Sequence, residues 1–307
     1  MFDYRTDILI KKEYVMYHIL YNPLAAHGQG QRKIQGLKDI LRGQDCLYED
    51  IREVKDYKAL FANLKSDDKL VIAGGDGTLC CFINATDGIL PENEIYYYAA
   101  GNGNDFYRDI SKEPDKLIKV NSYIKNLPTV EVNGMTKKFL NGIGYGIDGY
   151  CCEVGDQLAK TSEKPINYTA IAIKGLLFHY KPTNAKITVD GVTKTFEKVW
   201  LAPSMNGRYY GGGMNVTPAQ DRLNEEKKLS VGVFHGSGKL KTLMIFPSIF
   251  KGEHISHTDV FSVMTGHHIT VEFDRPTALQ IDGETVLGVK SYTVHAGVPA
   301  KEEVATV

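Results

Sequence analysis

Asp76 stands within Gly74-Gly75-Asp76-Gly77-Thr78, where the apolar run Leu70 to Ala73 stops. A carboxylate among three glycines suits chemistry on phosphates. Without Cβ atoms, Gly74, Gly75 and Gly77 can take positive φ and let backbone N–H groups approach phosphate oxygens, beside a helix N-terminus that favours anions. Asp76 fits such a loop if it manages a cation or a proton. Taken alone, the segment is equally a tight turn. A dinucleotide fingerprint needs G-x-G-x-x-G and a ribose-binding acid about twenty residues later, and this spacing is wrong. A Walker A loop needs Lys-Ser/Thr after its last glycine, where this chain has Thr78-Leu79.

Two more glycine-rich segments follow apolar runs. Asn22-Pro23-Leu24-Ala25-Ala26-His27-Gly28-Gln29-Gly30 comes after Tyr17 to Tyr21, and Gly101-Asn102-Gly103-Asn104-Asp105-Phe106 comes after Tyr96 to Ala99. If the three runs are parallel strands, all three turns open at one edge of the sheet, where such folds bind ligands. Asp105 reads as a helix N-cap or as a ligand. Asp282-Gly283-Glu284 reads as a hairpin turn or as a second source of carboxylates. Moving a γ-phosphoryl group to an alcohol requires backbone donors around the phosphates, a divalent cation, and a group that takes the hydroxyl proton. Asp76 can serve Mg²⁺ directly or through water, and Glu284 can take the proton.

The elements that must position these residues have two textures. Before about residue 125 the chain alternates short apolar runs with helix-like segments, as at Gln31 to Arg42, which is the βα alternation of a parallel sheet. After about residue 130 it turns to short alternating strands with Asn133-Gly134, Asp190-Gly191 and Asp282-Gly283 at their turns, strong hairpin signals. One helical interruption is expected over Pro165 to Phe178, where Ile166, Ala170, Ile173 and Leu177 recur at helical spacing and the proline suits the first helical position. The expected fold is α/β plus all-β: an α/β domain over residues 1–128, a β-sandwich-like antiparallel domain over 129–307, and a ligand cleft between them. The extreme C-terminus is free to pack back on the first domain.

At 307 residues with a formal net charge of −1 and no run of lysines or arginines, the chain gives no reason to expect a nucleic-acid partner. No stretch approaches the roughly 18 to 20 apolar residues of a membrane span, and the N-terminus lacks the form of a signal peptide. Five cysteines, an odd number in which Cys80-Cys81 and Cys151-Cys152 are adjacent and no CxxC occurs, exclude a disulfide framework and a zinc site. Cys80 and Cys81 are expected in the core. The nine histidines are scattered and read as ordinary surface or loop residues.

Asn22-Pro23, Gly74 to Thr78, Gly101 to Phe106 and the late Asp282-Gly283-Glu284 together resemble the diacylglycerol kinase catalytic family, which includes bacterial lipid kinases, sphingosine kinases and ceramide kinases. The order and separations match. The likeness extends through Asn141 to Gly149, Asn206 to Gly213 and Phe246 to His254, and so covers nearly the whole chain. It implies ATP held by the first domain and a lipid received by the second. Asn22, Pro23, Leu24, Ala25 and Ala26, with Gly74, Gly75, Asp76, Gly77, Thr78, Leu79 and Cys80, would line the nucleotide site; Gly101, Asn102, Asn104 and Asp105 would join them. Asn102 replaces the threonine usual there. Asp76 would serve the catalytic Mg²⁺, and Glu284 falls on the family's proposed general base.

A second departure concerns a structural Mg²⁺ that many bacterial members hold in a Pro-x-Ala…Asp-Gly-x-Leu stretch. This chain has Pro218 to Leu229, two residues longer, with Glu226-Lys227 in place of Asp-Gly. A lysine lacks the glycine's backbone freedom. The expectation is that this site is absent or altered, with Glu226 the carboxylate left there. The resemblance thus implies an ATP- and Mg²⁺-dependent lipid kinase, cytoplasmic, with peripheral, transient contact at the inner membrane face; a homodimer is compatible with it. Lys174, His179, Tyr180 and Lys181, flanking Leu176-Leu177-Phe178, are the candidate for that contact. The alternatives are an NAD kinase-like phosphotransferase and a non-catalytic nucleotide- or lipid-binding protein on the same scaffold.

Overall fold

A computed structural model of the chain describes residues 15–86, 89–161 and 166–298. The first half runs β1 (Met16–Tyr21), α1 (Ala25–Gly28), α2 (Gly30–Ile40), β2 (Asp45–Asp50), α3 (Tyr57–Ala62), β3 (Lys69–Gly74), α4 (Asp76–Ala85), β4 (Glu94–Ala99), α5 (Asp105–Ile110), β5 (Ile118–Lys119) and α6 (Asn121–Ile124). Its strands form one sheet in the order β2-β1-β3-β4-β5. β1 to β4 are parallel and β5 pairs antiparallel with β4, so the sheet is mixed at one edge. β3 has no polar face because it is covered on both sides. Leu70 and Ile72 pack with Leu79, Phe82 and Phe106, while Val71 and Ala73 pack with Ile34 and Leu37.

The second half contains β6 (Thr129–Val132), β7 (Met135–Lys138), β8 (Gly142–Tyr145), α7 (Ile147–Ala159), α8 (Tyr168–Lys174), β9 (Thr183–Val189), β10 (Val192–Val199), β11 (Ser204–Met205), β12 (Tyr209–Tyr210), β13 (Met214–Asn215), β14 (Leu229–Phe234), α9 (Lys239–Ile245), β15 (Phe261–Gly266), β16 (His268–Ile281) and β17 (Glu284–His295). All but β12 and β13 join an antiparallel sheet in the order β15-β14-β11-β8-β16-β17-β6-β7, onto which β9 pairs through β16 and carries β10. The sheet type changes between Lys119 and Thr129. Each expected hairpin forms: Val132 faces Met135, Val189 faces Val192, and Ile281 faces Glu284. Both residues of all three turns have positive φ, as two-residue hairpin loops require.

The helical interruption begins at Tyr168, where Asn167 caps by accepting from Ala170 N–H at 2.9 Å, and ends in a single π-turn over Gly175–His179. Pro165 and the extreme C-terminus lie outside the described residues. α7 and the helical turns from Lys239 to Ser256 are elements that hairpin signals do not reveal. Two expectations are corrected. His254 is fully buried, donating from Nε2 to Val216 O (3.0 Å), rather than a surface residue. Cys81 is exposed: one helical step of about 100° past buried Cys80 turns it to the cleft side of α4. No helix among the described residues is long and apolar enough to cross a membrane.

Candidate active site

β1, β3 and β4 are neighbouring parallel strands, so their carboxyl ends deliver Asn22, Gly74 and Ala100 to one rim. Hydrogen bonds past the strand ends fix this: Asn22 N–H donates to Ala73 O at 2.9 Å, and Ala100 N–H to Gly74 O at 2.8 Å. Asn22 then donates from Nδ2 to Thr78 Oγ1 at 3.0 Å and accepts Leu24 N–H on Oδ1 at 3.0 Å, which ties the first loop to the second. Between the second and third loops Gly75 and Gly101 pack backbone against backbone. A Cβ on Gly101 would lie 2.5 Å from Gly75 Cα, so no other residue fits. Lys33 Nζ and Asn104 Nδ2 both donate to Gly101 O, at 2.6 and 2.9 Å.

α4 opens at this rim with Gly75 as its N-cap and no side-chain cap, leaving its first amides for another acceptor. Gly77 and Gly103 are exposed, with nothing within 4 Å of where a Cβ would sit. That is an open cradle beside a helix N-terminus, and it fits phosphate oxygens. Asn102 is exposed on the same rim, and Leu24 is 61 % exposed. Ala25, Leu79 and Cys80 turn their side chains into the interior and can offer a ligand only backbone.

Asp76 is the first residue of α4. Its Oδ2 accepts Phe106 N–H at 3.0 Å and Asn141 Nδ2 at 3.0 Å, and Tyr97 Oη lies 3.2 Å from Oδ1 and 3.1 Å from Gly74 O. Burial raises its pKa against these donors, and the Asp282 charge raises it further. Asp105 is the first residue of α5. It does not cap that helix; its Oδ2 accepts Gly212 N–H at 2.7 Å from the second half of the chain. Burial raises it to about 6, with the charge of Asp76 adding to the effect. Carboxylates raised by burial and by one another are what a divalent cation relieves. Mg²⁺ usually keeps several waters and takes one or two carboxylates, so partly exposed Asp76 suits it. No group of three or more His, Cys, Asp or Glu side chains that could hold a metal ion occurs among the described residues.

Asp282 and Glu284 divide the work of the late turn. Asp282 accepts the N–H groups of Leu140, Asn141 and Gly142 at 2.5, 2.8 and 3.1 Å, anchoring the β16–β17 hairpin beside β8. Burial nevertheless raises its pKa. Cys80 Sγ donates to it at 3.4 Å, so the turn also rests on α4. Glu284 is exposed, ion-paired with Lys137 Nζ, and 3.8 Å from Cys81 Sγ one step further along α4. Burial raises both thiols, Cys81 with help from Glu284, which disfavours the thiolate form at each.

Behind Asp76 a buried network crosses from one half of the chain to the other. Arg222 donates to Asp109 Oδ2 at 2.6 Å, Leu140 O at 2.9 Å and Asn141 Oδ1 at 3.0 Å, and its guanidinium lies 4.9 Å from the Phe106 ring centroid. Arg208 donates to Asp109 Oδ1 at 2.6 Å. Lys33, Tyr97, Asp109, Lys137 and Arg222 carry no role in the sequence reading. For Asn141 a signal exists, since it opens a segment that carries the family likeness; Arg222 lies in the stretch from Pro218 to Leu229 that departs from it. Lys137 offers none, being one lysine of a short hairpin strand.

The segment from Pro218 to Leu229 does not suit a cation. Glu226 is exposed and pairs with Lys228. Asn224 Nδ2 donates to Asp221 O at 2.6 Å and Lys228 O at 3.0 Å, placing amide hydrogens at the carbonyls, and its Oδ1 accepts Lys228 N–H at 2.8 Å. Gln220 Nε2 adds a bond to Lys228 O at 2.9 Å. Lys227 holds φ +58, the strained conformation that a glycine takes freely.

Residues 16–132 match the family model described as the diacylglycerol kinase catalytic domain, and residues 141–301 match the YegS C-terminal NAD kinase beta sandwich-like domain. A diacylglycerol kinase of Mycobacterium tuberculosis is 27 % identical over 253 residues, covering 78 % of this chain and 80 % of its own. YtlR of Bacillus subtilis, which is ascribed a lipid-kinase role, is 24 % identical over 301 residues, covering 86 % and 92 %. In fold, the chain is similar to a crystal structure of a diacylglycerol kinase from Bacillus anthracis, with TM-score 0.55 and 17 % identity over 92 % of this chain and 94 % of that one.

Proposed function

The chain belongs to the diacylglycerol kinase catalytic family, and from that premise we propose that it transfers the γ-phosphoryl group of ATP to the hydroxyl of a diacylglycerol-like lipid. The observation that carries this reading is Asp76. It stands at an uncapped helix N-terminus where three glycine-rich loops meet, held by Phe106 N–H from the first half and Asn141 from the second. A phosphate cradle and a carboxylate fixed from both sides of a cleft support phosphoryl transfer better than a plain turn.

The γ-phosphate rests on the free amides at Asp76 and Gly77, and Asn22 and Thr78 brace that loop from the side. Mg²⁺ held by Asp76 would neutralise charge on the phosphates. The acceptor hydroxyl oxygen bonds to the γ-phosphorus as the bond from that phosphorus to the β,γ-bridging oxygen breaks; ADP leaves, and the hydroxyl proton goes to the Glu284 carboxylate. Lys137 holds that carboxylate beside α4. A membrane-borne acceptor requires peripheral contact with the bilayer surface.

The test is thin-layer chromatography of lipid extracts incubated with the pure protein and γ-labelled ATP, beside the Asp76→Ala and Glu284→Gln variants and a parallel reaction with NAD. The expected outcome is a labelled lipid from the parent protein, none from Asp76→Ala, and about 10²–10⁴-fold less from Glu284→Gln with ATP still bound. Labelled NADP without labelled lipid would assign the cleft to the NAD kinase alternative. Nucleotide binding without any product would leave only the non-catalytic one.

A further inference from the structure

Among the described residues, the three most exposed large apolar side chains are Phe178, Leu240 and Met244, at 72, 74 and 77 %. They sit on two touching segments. Lys239 Nζ, at the start of α9, donates to Leu177 O in the π-turn at 2.8 Å. Leu240 and Met244 are four residues apart and share the outer face of α9, while Thr242 and Ile245 are buried on its inner face. In the π-turn Leu176 is fully buried and anchors the segment, which leaves Phe178 turned outward.

Lys174, Lys181 and Lys239 are exposed around these side chains, and none forms an ion pair with a carboxylate among the described residues. Lys241 is paired with Asp259. A recess of about 380 Å³ begins at the residue after Phe178, and its wall carries Lys181, Arg275 and His179 together with one carboxylate, Glu153.

We propose that this face is the docking surface for an anionic bilayer, with Phe178, Leu240 and Met244 entering the acyl boundary and the three lysines at the head groups. A second copy of the chain is a poorer occupant. A two-fold contact through this patch would bring its unpaired lysines together, and the nearby Asp259 is already paired with Lys241. The choice of a lipid surface rests on the kinase reading above, whereas the face itself rests on exposure and charge.

The experiment is co-sedimentation of the full chain with vesicles of phosphatidylcholine alone and of phosphatidylcholine mixed with phosphatidylglycerol. Phosphorylation of a short-chain diacylglycerol in detergent is measured in parallel. The parent protein is expected to sediment with the anionic vesicles and to be released by salt. A Phe178→Ser, Leu240→Ser, Met244→Ser variant is expected to lose vesicle affinity about tenfold or more. A Lys174→Ala, Lys181→Ala, Lys239→Ala variant is expected to lose the preference for phosphatidylglycerol. All the substituted side chains are exposed, so unchanged detergent activity and melting temperature are expected throughout. Unaltered vesicle binding by the serine variant would overturn the proposal, as would a serine variant that only converts a dimer to a monomer in sedimentation velocity. Failure of the parent protein to phosphorylate the detergent-dispersed lipid would count against the kinase reading, while vesicle binding would still decide the face.

Discussion

Asn141 Nδ2 lies 3.0 Å from Asp76 Oδ2, so the β-rich half of the chain supplies a donor to the carboxylate at the tip of the glycine loop. The amide is oriented by Arg222, which donates to its Oδ1 at 3.0 Å and leaves only the NH₂ for Asp76. Asp76 therefore reports on closure between the two halves. Its hydrogen bonds depend on both.

Asn141→Ala removes a bond that favours the ionised form of Asp76, whose pKa burial already raises. The carboxyl then titrates higher, and the acidic limb of the kcat/KM profile moves to higher pH. If Asp76 holds Mg²⁺ as proposed, activity at its optimum falls about 10- to 100-fold, as for other residues that orient a metal-ligating carboxylate. The pH–rate profile of the variant checks both. An unchanged acidic limb would show that Asp76 does not control it.

Arg222 and Asp109 are each 4 % exposed, so this pair has little screening by water. Arg222→Ala leaves Asp109 with Arg208, and also leaves Leu140 O and Asn141 Oδ1 without their donor. Breaking a buried pair costs about 3–5 kcal/mol, readable as a lower urea midpoint. Arg208 is 40 % exposed, and Arg208→Ala should cost no more than about 1 kcal/mol.

The phosphate loop is legible in sequence because backbone geometry dictates it. Three glycines between a buried strand and a helix have few other uses, and Gly75 against Gly101 shows the close approach that demands them. The hairpins are legible for the same reason, since Asn-Gly and Asp-Gly tolerate positive φ. α7 is not legible as a helix because its Gly149 and Gly155 interrupt the apolar pattern. Gly149 is required by the backbone of Ala278, where a Cβ would lie 2.0 Å from its carbonyl oxygen. Contacts such as Lys137 with Glu284 and Arg222 with Asp109 join residues over a hundred positions apart; no local pattern encodes them.

Asn224 hydrogen-bonds the carbonyls of Asp221 and Lys228, so removing divalent metal should not loosen the segment from Pro218 to Leu229. EDTA is expected to leave the melting temperature unchanged in the absence of nucleotide. Asn224→Ala should cost about 1–3 kcal/mol by orphaning those backbone groups. Lys227→Gly should stabilise the chain by roughly 1 kcal/mol by releasing φ +58. A melting temperature that falls in EDTA and is restored by Mg²⁺ would instead require a cation in this segment.

Asp148 sits in the first turn of α7, a position that favours a negative charge, and Tyr210 Oη–H donates to its Oδ2 at 2.6 Å. Burial outweighs both. The carboxyl is 8 % exposed, its Oδ1 has no hydrogen-bond partner among the described residues, and its pKa is raised to about 7. In the unfolded chain it titrates near 3.9. Between these values the folded state binds more protons than the unfolded state, so stability falls as pH rises from about 4 to about 7, by up to about 4 kcal/mol. Asp148→Asn cannot ionise, and its side-chain oxygen still accepts from Tyr210. Relative to the parent chain the variant should gain most melting temperature at pH 8, about a third as much at pH 5, and little or none below about pH 4. Asp105, raised to about 6, has the same sign and keeps part of the slope in both proteins, so the difference between them isolates Asp148. Parallel melting curves across this range, with a pH-independent offset, would mean that Asp148 stays ionised in the folded chain.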